Sequence, residues 1–172
     1  MPIQIETPAI RSLRERLLET GGAPSIMAGT DAQSDQVLAG DPEAVALLES
    51  TIEAMVVMLA ADGQSTNEER DLLRGAVREL TAGGVRTAQI DKIFDASIAR
   101  IREVGASARL AAAATVLKTE VVAAEAAFVL AAAMAFADQE IADAENDTLN
   151  EFADLLGLEE TRANELLDEL QT

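Results

Sequence analysis

Two segments of the chain carry pairs of carboxylates at the same spacing, and these pairs are suited to binding a metal ion. Asp62 is followed seven positions later by Glu69, and Asp138 is followed seven positions later by Glu145. Carboxylate oxygens are ligands that hard cations such as Ca²⁺ prefer, at distances of about 2.3–2.6 Å. Seven residues of unbroken helix rise about 10.5 Å, so each pair can share an ion only if the chain turns between its members.

The second segment offers more oxygen ligands than the first. Glu140 and Asp143 lie within it, whereas the first segment has Gln64 and Asn67 at the aligned positions. If only one segment binds a cation, its greater negative charge therefore favours the second. We expect a divalent cation such as Ca²⁺, Mg²⁺ or Mn²⁺. The candidate metal ligands are Asp62, Glu69, Asp138 and Glu145, with Glu140 and Asp143 as additional candidates.

The first segment also fits a helix start that needs no ion. Thr66 and Glu69 have the spacing of a capping box, in which each side chain accepts a hydrogen bond from the other residue's backbone N–H. Ser65 and Glu68 fit the same pattern. In the second segment Ala142 stands where the first has Thr66, so the hydroxyl of the box is missing while the glutamate is kept. The interpretation as a metal site and the interpretation as a helix start without a metal both stay open at this point.

The composition excludes most other kinds of reactive site. The chain has no Cys and no His, which rules out thiol nucleophiles, disulfides, Ser-His-Asp triads and Cys/His zinc or haem sites. Paired carboxylates can do acid/base chemistry, but only in a cleft that shifts their pKa values. We therefore expect a protein that is not an enzyme.

The charge balance narrows the choice of partners. The chain has 13 basic and 31 acidic residues, a net charge of −18, with four Phe and no Trp or Tyr. Such a surface repels nucleic acids and anionic membranes, and it lacks the aromatic side chains that stack on bases. We expect no nucleic-acid binding and a protein partner. Residues 138–172 hold twelve acidic residues and one basic residue, Arg162, which indicates either a solvated face or a docking surface for a basic partner.

No segment predicts insertion into a membrane or cleavage as a signal peptide. The start of the chain lacks a basic stretch followed by an apolar one. The most apolar window, Val121 to Ala137, is too short and too rich in Ala to cross a bilayer, and it contains Glu125. We expect a cytoplasmic protein, and whether partners recruit it to the inner face of the membrane stays open.

The elements that position the carboxylates are predicted to be helices. The chain has 172 residues, of which 49% are hydrophobic, and Ala and Leu are abundant, which favours an all-α fold. Residues 1–40 are predicted to form an extension of one helix and a loop-like stretch, with Thr7 as N-cap and Pro8 at the first helical position. Residues 41–172 are predicted to form the main helical domain. Its predicted helices cover about 42–61, 66–81, 87–104, 106–137 with a break near Thr115–Thr119, 143–156 and 159–170.

The chain also contains an internal repeat. Residues 42–80 match residues 118–156 at an offset of 76, and after a gap of three residues the following helices align as well. The two halves, about 41–104 and 118–172, would each place one carboxylate pair at the corner between two helices. We expect the halves to pack face to face and to bring the two corners together.

The two corner segments resemble a known motif. ADGQSTNEE and ADQEIADAE look like A-D-G-x-[hydrophobic]-x-x-x-E, the motif of the tellurite-resistance TerB family and its TerB-like relatives. The later stretch EFADLLGLEETRANELL is similar to the residues that follow the family's second motif, and the resemblance covers about residues 42–172. Ser65 replaces the hydrophobic residue of the first motif, and Gln139 replaces the Gly of the second.

This resemblance implies an all-α, TerB-like domain of about seven to eight helices with a pseudo-twofold repeat. It further implies that the acidic motif residues chelate a divalent cation, in stress-response or envelope-associated complexes. The alternative is a structural protein–protein interaction module without a metal. The motif positions of this chain are Asp62, Gly63 and Glu69, and Asp138, Ile141 and Glu145.

Overall fold

Eight helices lie within the residues that the computed structural model describes, which are 7–20, 23–24, 26–28, 38–40, 42–60, 66–81, 85, 87–136 and 143–171. The all-α fold class predicted from the sequence is confirmed. The helices are α1 (Pro8–Leu18), α2 (Pro42–Ala60), α3 (Asn67–Thr81), α4 (Thr87–Val104), α5 (Ala106–Leu117), α6 (Val121–Phe136), α7 (Asp143–Leu156) and α8 (Glu160–Gln171).

Local signals in the sequence account for where several helices begin and end. The Thr7 hydroxyl accepts a hydrogen bond from the Ile10 backbone N–H at 3.4 Å, so the predicted N-cap of α1 is confirmed. At the other end of the chain, Gly157 has a φ of +74°. Its N–H bonds to the Asp154 carbonyl, and the Leu158 N–H bonds to the Ala153 carbonyl, at 3.1 and 3.0 Å. This is a Schellman motif, and it confirms the predicted stop after α7.

The long Ala-rich segment is divided, as predicted. Helix α5 ends at Leu117 and α6 begins at Val121. Between them, the backbone N–H groups of Thr119 and Glu120 bond to carbonyls three residues earlier, at 3.3 and 3.2 Å. Such tight i→i+3 bonds close a helix and let the chain change direction.

The N-terminal region contains short strands that the loop-like interpretation of its sequence did not predict. Strand β1 (Glu19–Thr20) pairs antiparallel with β2 (Ala23–Pro24), and β3 (Ile26–Ala28) pairs antiparallel with β4 (Leu38–Gly40). The first pair is separated by the two glycines at 21–22, a sequence typical of two-residue hairpin loops. Strands of two or three residues are too short to produce a recognisable apolar alternation.

Helices α2 and α6 form the centre of the core. All the side chains from Ala126 to Ala135 on α6 are buried, including Phe128, and most are Ala, which lets neighbouring helices approach closely. On α2, Met55 is fully buried and Met58 nearly so, and Met134 on α6 is buried too. These flexible side chains fill part of the core between the two helices.

Helix α1 belongs to the same core. Its Ile10 and Leu13 side chains are fully buried, and it packs against α6, α3 and α2. The helix predicted in the N-terminal extension therefore packs into the helical domain. No helix within the described ranges is long and apolar enough to cross a membrane.

The helix boundaries are spaced as the predicted repeat requires. The ends of α2 and α6 differ by the offset of the repeat, and so do the starts of α3 and α7. The starts of α4 and α8 differ by that offset less the gap in the alignment. The contacts between helices follow the same relation. Helix α1 packs against α6 and α3, and α5 packs against α2 and α7, which are the counterparts of α6 and α3 in the repeat. The repeat itself stays a prediction, since equal spacing does not measure whether the two halves superpose.

Candidate metal centre at the helix corners

The first corner joins α2 to α3, and the structure describes only its last part. Asp62 and Gly63 lie outside the described residues, in the segment 61–65. The Thr66 backbone N–H donates to Oε2 of Glu69 at 3.2 Å, and the Glu69 N–H donates to the Thr66 hydroxyl at 3.1 Å. This reciprocal pair is a capping box, so that interpretation of Thr66 and Glu69 is confirmed. One oxygen of the Glu69 carboxylate thus supports the start of α3.

Arginines neutralise the acidic surface that follows this corner. Arg70 on α3 pairs with Asp95 on α4 at 2.8 Å, and its guanidinium lies 4.5 Å from the centre of the Phe94 ring. One turn later, Arg74 donates from Nε and Nη2 to the two oxygens of Asp91, at 2.8 and 3.0 Å. These charge-assisted hydrogen bonds connect α3 to α4 and place two positive charges just after Glu69.

The second corner joins α6 to α7 and differs in its charges. Helix α6 ends at Phe136 and α7 begins at Asp143. Asp138, Gln139, Glu140 and Ile141 lie outside the described residues, in the segment 137–142. Glu145 lies in the first turn of α7, where a negative charge interacts favourably with the helix dipole.

Helix α7 has none of the arginines that follow the first corner. At the offset of 76, Arg70 and Arg74 of α3 are replaced by Asn146 and Asn150 of α7, and Arg78 by Asp154. The whole of α7 contains no basic residue. The negative charge of the second corner is therefore not balanced by its own helix.

Of the six candidate metal ligands, the structure describes the side chain of Glu69 alone. Asp62, Asp138 and Glu140 lie outside the described residues, and for Asp143 and Glu145 only the helical backbone is described. Among the residues whose side chains are described, no group of three or more acidic side chains could hold a metal ion. The predicted metal site stays a prediction.

The partners in a buried ion cluster around Glu53 were not predicted from the sequence. Glu53 on α2 has a side chain that is only 7% exposed, and it accepts hydrogen bonds from two arginines. Arg109 on α5 donates to both of its oxygens, with an Nη2–Oε2 distance of 3.0 Å, and Arg100 on α4 donates to Oε1 at 3.3 Å. The bond to Glu53 raises the pKa of Arg109, which keeps the guanidinium charged. A lone carboxylate within the apolar run 51–61 is the signal that could have revealed it.

Glu49 lies one turn before Glu53 and has an altered acidity. The residue is exposed overall, yet partial burial of its carboxyl group raises the pKa of Glu49. The nearby charge of Glu53 raises it further, and Arg100 lowers it in part. This group is protonated more readily than an ordinary glutamate.

The second half holds a different ion pair. Arg162 on α8 donates from Nε and Nη2 to the two oxygens of Glu125 on α6, both at 2.8 Å, and from Nη1 to Glu165 at 3.0 Å. Hydrogen bonding to Arg162 lowers the pKa of Glu125, although partial burial opposes the change. The same bonds raise the pKa of Arg162. This forked pair connects α6 to α8.

Comparison with known protein families supports the resemblance read from the two motifs. The family model described as "Tellurite resistance protein TerB" matches residues 49–168, which include both corners and all but the ends of the helical domain. Searches among curated proteins and among solved structures found no match. The match covers well over half of the chain and agrees with the all-α architecture, and the chain therefore belongs to the TerB family.

Proposed function

We propose that this protein is a non-enzymatic TerB-like domain that binds a divalent cation at its second corner, in a stress-response context. The ligands are the carboxylates of Asp138 and Glu145, with Glu140 and Asp143 as additional ligands. The family's description as a tellurite resistance protein supports the stress-response context. Oxygen ligands of this kind suit Ca²⁺, Mg²⁺ or Mn²⁺.

The observation that carries the proposal is the difference in charge balance after the two corners. In the first half, Arg70 and Arg74 pair with aspartates of α4, and Glu69 supports the start of α3 through Thr66. In the second half, the aligned positions after the corner carry no positive charge. A cation bound there would neutralise carboxylates that otherwise repel one another.

The missing hydroxyl at the second corner supports the same choice. Thr66 accepts the Glu69 N–H at its hydroxyl and in return donates its own N–H to the Glu69 carboxylate. Ala142 has no hydroxyl to complete such a box, so Glu145 lacks half of the arrangement that holds Glu69. A capping box of the kind seen at Glu69 therefore does not account for Glu145, and we assign its carboxylate to the ion instead.

Titration calorimetry tests the proposal directly. Ca²⁺, Mg²⁺ and Mn²⁺ are titrated separately into the wild type, into the second-corner variant Asp138→Asn/Glu145→Gln, and into the matched first-corner variant Asp62→Asn/Glu69→Gln. We expect the second-corner variant to lose about tenfold or more in affinity, because it loses two charged ligands, and the first-corner variant to stay within about threefold. No heat with any of the three ions, or equal losses in both variants, would overturn the proposal. The absence of binding would favour the metal-free interaction module.

A single substitution examines the role of the hydroxyl. Ala142→Thr supplies the second corner with the residue that caps α3 in the first. We expect the new hydroxyl to recruit Glu145 into a capping box and to weaken cation binding by about threefold or more. Ala142→Val, which has a similar size but no hydroxyl, is the control and should bind as the wild type does.

A further inference from the structure

A shallow depression lies at the end of the α6–α7 pair that is remote from the second corner. It has a volume of about 310 Å³, at the lower end of the range for binding pockets. Its apolar lining comes from Val121, Ala124, Leu156 and Leu158, and Glu159 also lines it. Val121 begins α6 and Leu156 ends α7, whereas the second corner joins the other ends of these helices. The 16 residues of α6 separate the two places by about 24 Å of helix rise.

This depression carries apolar surface that the fold leaves in solvent. Val121 is 70% exposed and the adjacent Val122 is 40% exposed. Among the residues whose burial is described, the other large exposed apolar side chain is Val104, the last residue of α4. Val121 also lines the depression, so its exposed side chain continues the apolar lining into solvent.

The depression is lined by one carboxylate, Glu159, and by two cations, Lys118 and Arg162, and two more exposed carboxylates lie close to it along the chain. Asp154, Glu159 and Glu160 are exposed and lie within a few residues of Leu156 and Leu158 along the chain. The guanidinium of Arg162, which also lines the depression, is already paired with Glu125 and Glu165. Lys118 supplies one opposing positive charge. The surface therefore combines apolar contact area with a surplus of carboxylates.

We propose that this depression is a docking surface for a basic amphipathic helix of a partner protein. The apolar face of the partner helix covers Val121 and fills the depression, and its lysines or arginines pair with Asp154, Glu159 and Glu160. The net charge of −18 accelerates the approach of a basic segment and repels a second copy of this chain. This inference does not rest on the proposed cation site, because the two lie at opposite ends of α6 and α7.

The experiment uses a defined peptide as the probe. A fluorescein-labelled peptide of about 18 residues, with Leu on one helical face and Lys on the other, is titrated with the full chain in the presence of EDTA. A matched peptide has Glu in place of every Lys. We expect the Lys peptide to bind the wild type and the Glu peptide not to bind measurably.

Matched variants separate the docking surface from general attraction to an acidic protein. Val121→Ser is expected to raise the Kd about five- to tenfold, because an exposed valine loses its apolar contact. Val104→Ser changes an exposed valine elsewhere and should leave the Kd within about twofold. Likewise, Glu159→Gln/Glu160→Gln should weaken binding more than Glu103→Gln, which alters an exposed carboxylate beside Val104.

Three results would overturn the inference. Equal effects of Val121→Ser and Val104→Ser would mean that the peptide is held by charge alone. If the Glu peptide binds as tightly as the Lys peptide, the surface does not select a basic partner. Sedimentation showing a wild-type dimer that Val121→Ser converts to a monomer would assign the depression to a second copy instead.

Discussion

The two halves of the molecule carry a glutamate at the same position of their central helices but use it differently. Glu49 on α2 and Glu125 on α6 are separated by the offset of the repeat, as are the ends of these two helices. Glu125 accepts a forked pair of hydrogen bonds from Arg162 of α8. Glu49 is exposed, and the buried acceptor of the first half is Glu53, one turn later.

The difference shows that similar helix boundaries can be stabilised by different charge arrangements. The position aligned with Glu53 is Val129, which is fully buried in the core. In the first half a buried carboxylate therefore connects α2 to α4 and α5, whereas in the second half a partly exposed pair connects α6 to α8. Caps and apolar faces define the helices in both halves, and the ion pairs differ between them.

The largest effect is expected from removing the buried carboxylate. Glu53→Ala should lower the free energy of unfolding by about 3 kcal/mol, because it leaves Arg109 partly buried without its counter-charge. Glu49→Ala changes a glutamate of the same helix and should cost about 0.5 kcal/mol or less. Urea denaturation at neutral pH measures both. Similar losses in the two variants would contradict the distinction drawn between Glu49 and Glu53.

A smaller loss is expected at the ion pair of the second half. Arg162→Ala should lower the free energy of unfolding by about 1 kcal/mol, since the forked bonds to Glu125 are lost but the arginine is 39% exposed. Lys92→Ala removes an exposed cation of α4 and should change stability by less than about 0.5 kcal/mol. Chemical denaturation checks the pair, and a loss at Arg162 as large as that at Glu53 would remove the contrast between the halves.

A further pair of substitutions compares the stability of the two helix corners in the absence of metal. With EDTA present, Thr66→Ala should cost about 1 kcal/mol because it removes the hydroxyl of the capping box. Ala142→Thr should stabilise the protein by about 0.5 kcal/mol by completing a box at the second corner. Thr66→Ser keeps the hydroxyl and is the control. If Ala142→Thr has no effect on the thermal midpoint, the two corners do not share the same local geometry.

The smallest expected effects are changes in stability with pH, and they have opposite signs at Glu125 and Glu49. Hydrogen bonding to Arg162 lowers the pKa of Glu125 in the folded state, so its stabilising contribution is complete above the unfolded value of about 4.3 and is lost as the pH falls below that value. Burial raises the pKa of Glu49, so stability falls as the pH rises from about 4.3 through the folded value.

The corresponding glutamine variants isolate these contributions. The stability deficit of Glu125→Gln relative to the wild type should shrink as the pH is lowered from about 6 to about 3. Glu49→Gln should gain stability relative to the wild type as the pH is raised over the same range. Unfolding measured at a series of pH values checks both slopes, and slopes of the same sign would contradict the comparison.

Much of the helical framework could be predicted because its signals are local. The predicted limits of 87–104 and 143–156 coincide with those of α4 and α7. Thr7, Gly157 and the break before Val121 act through neighbours within a few residues. The capping box at Thr66 and Glu69 was predictable for the same reason, since its partners are three positions apart.

The features that were missed depend on contacts between distant parts of the chain. Glu53 and Arg109 are 56 positions apart, and no spacing in the sequence joins them until α2 and α5 pack together. The short strands of residues 19–40 contain too few residues for an apolar alternation. Asp62 and Asp138 could be selected as ligands by residue type, but whether their corners meet depends on tertiary packing.

Anomalous scattering from crystals grown with Mn²⁺ most directly tests the central claim that the second corner binds a cation. Because Mn²⁺ accepts the same oxygen ligands, the account predicts an anomalous peak among the carboxylates of residues 138–145, at metal–oxygen bonding distance from Asp138 and Glu145. It predicts no peak beside Glu69, whose carboxylate is engaged with Thr66. A peak at the first corner alone, or fully ordered second-corner carboxylates with no peak between them, would contradict the account.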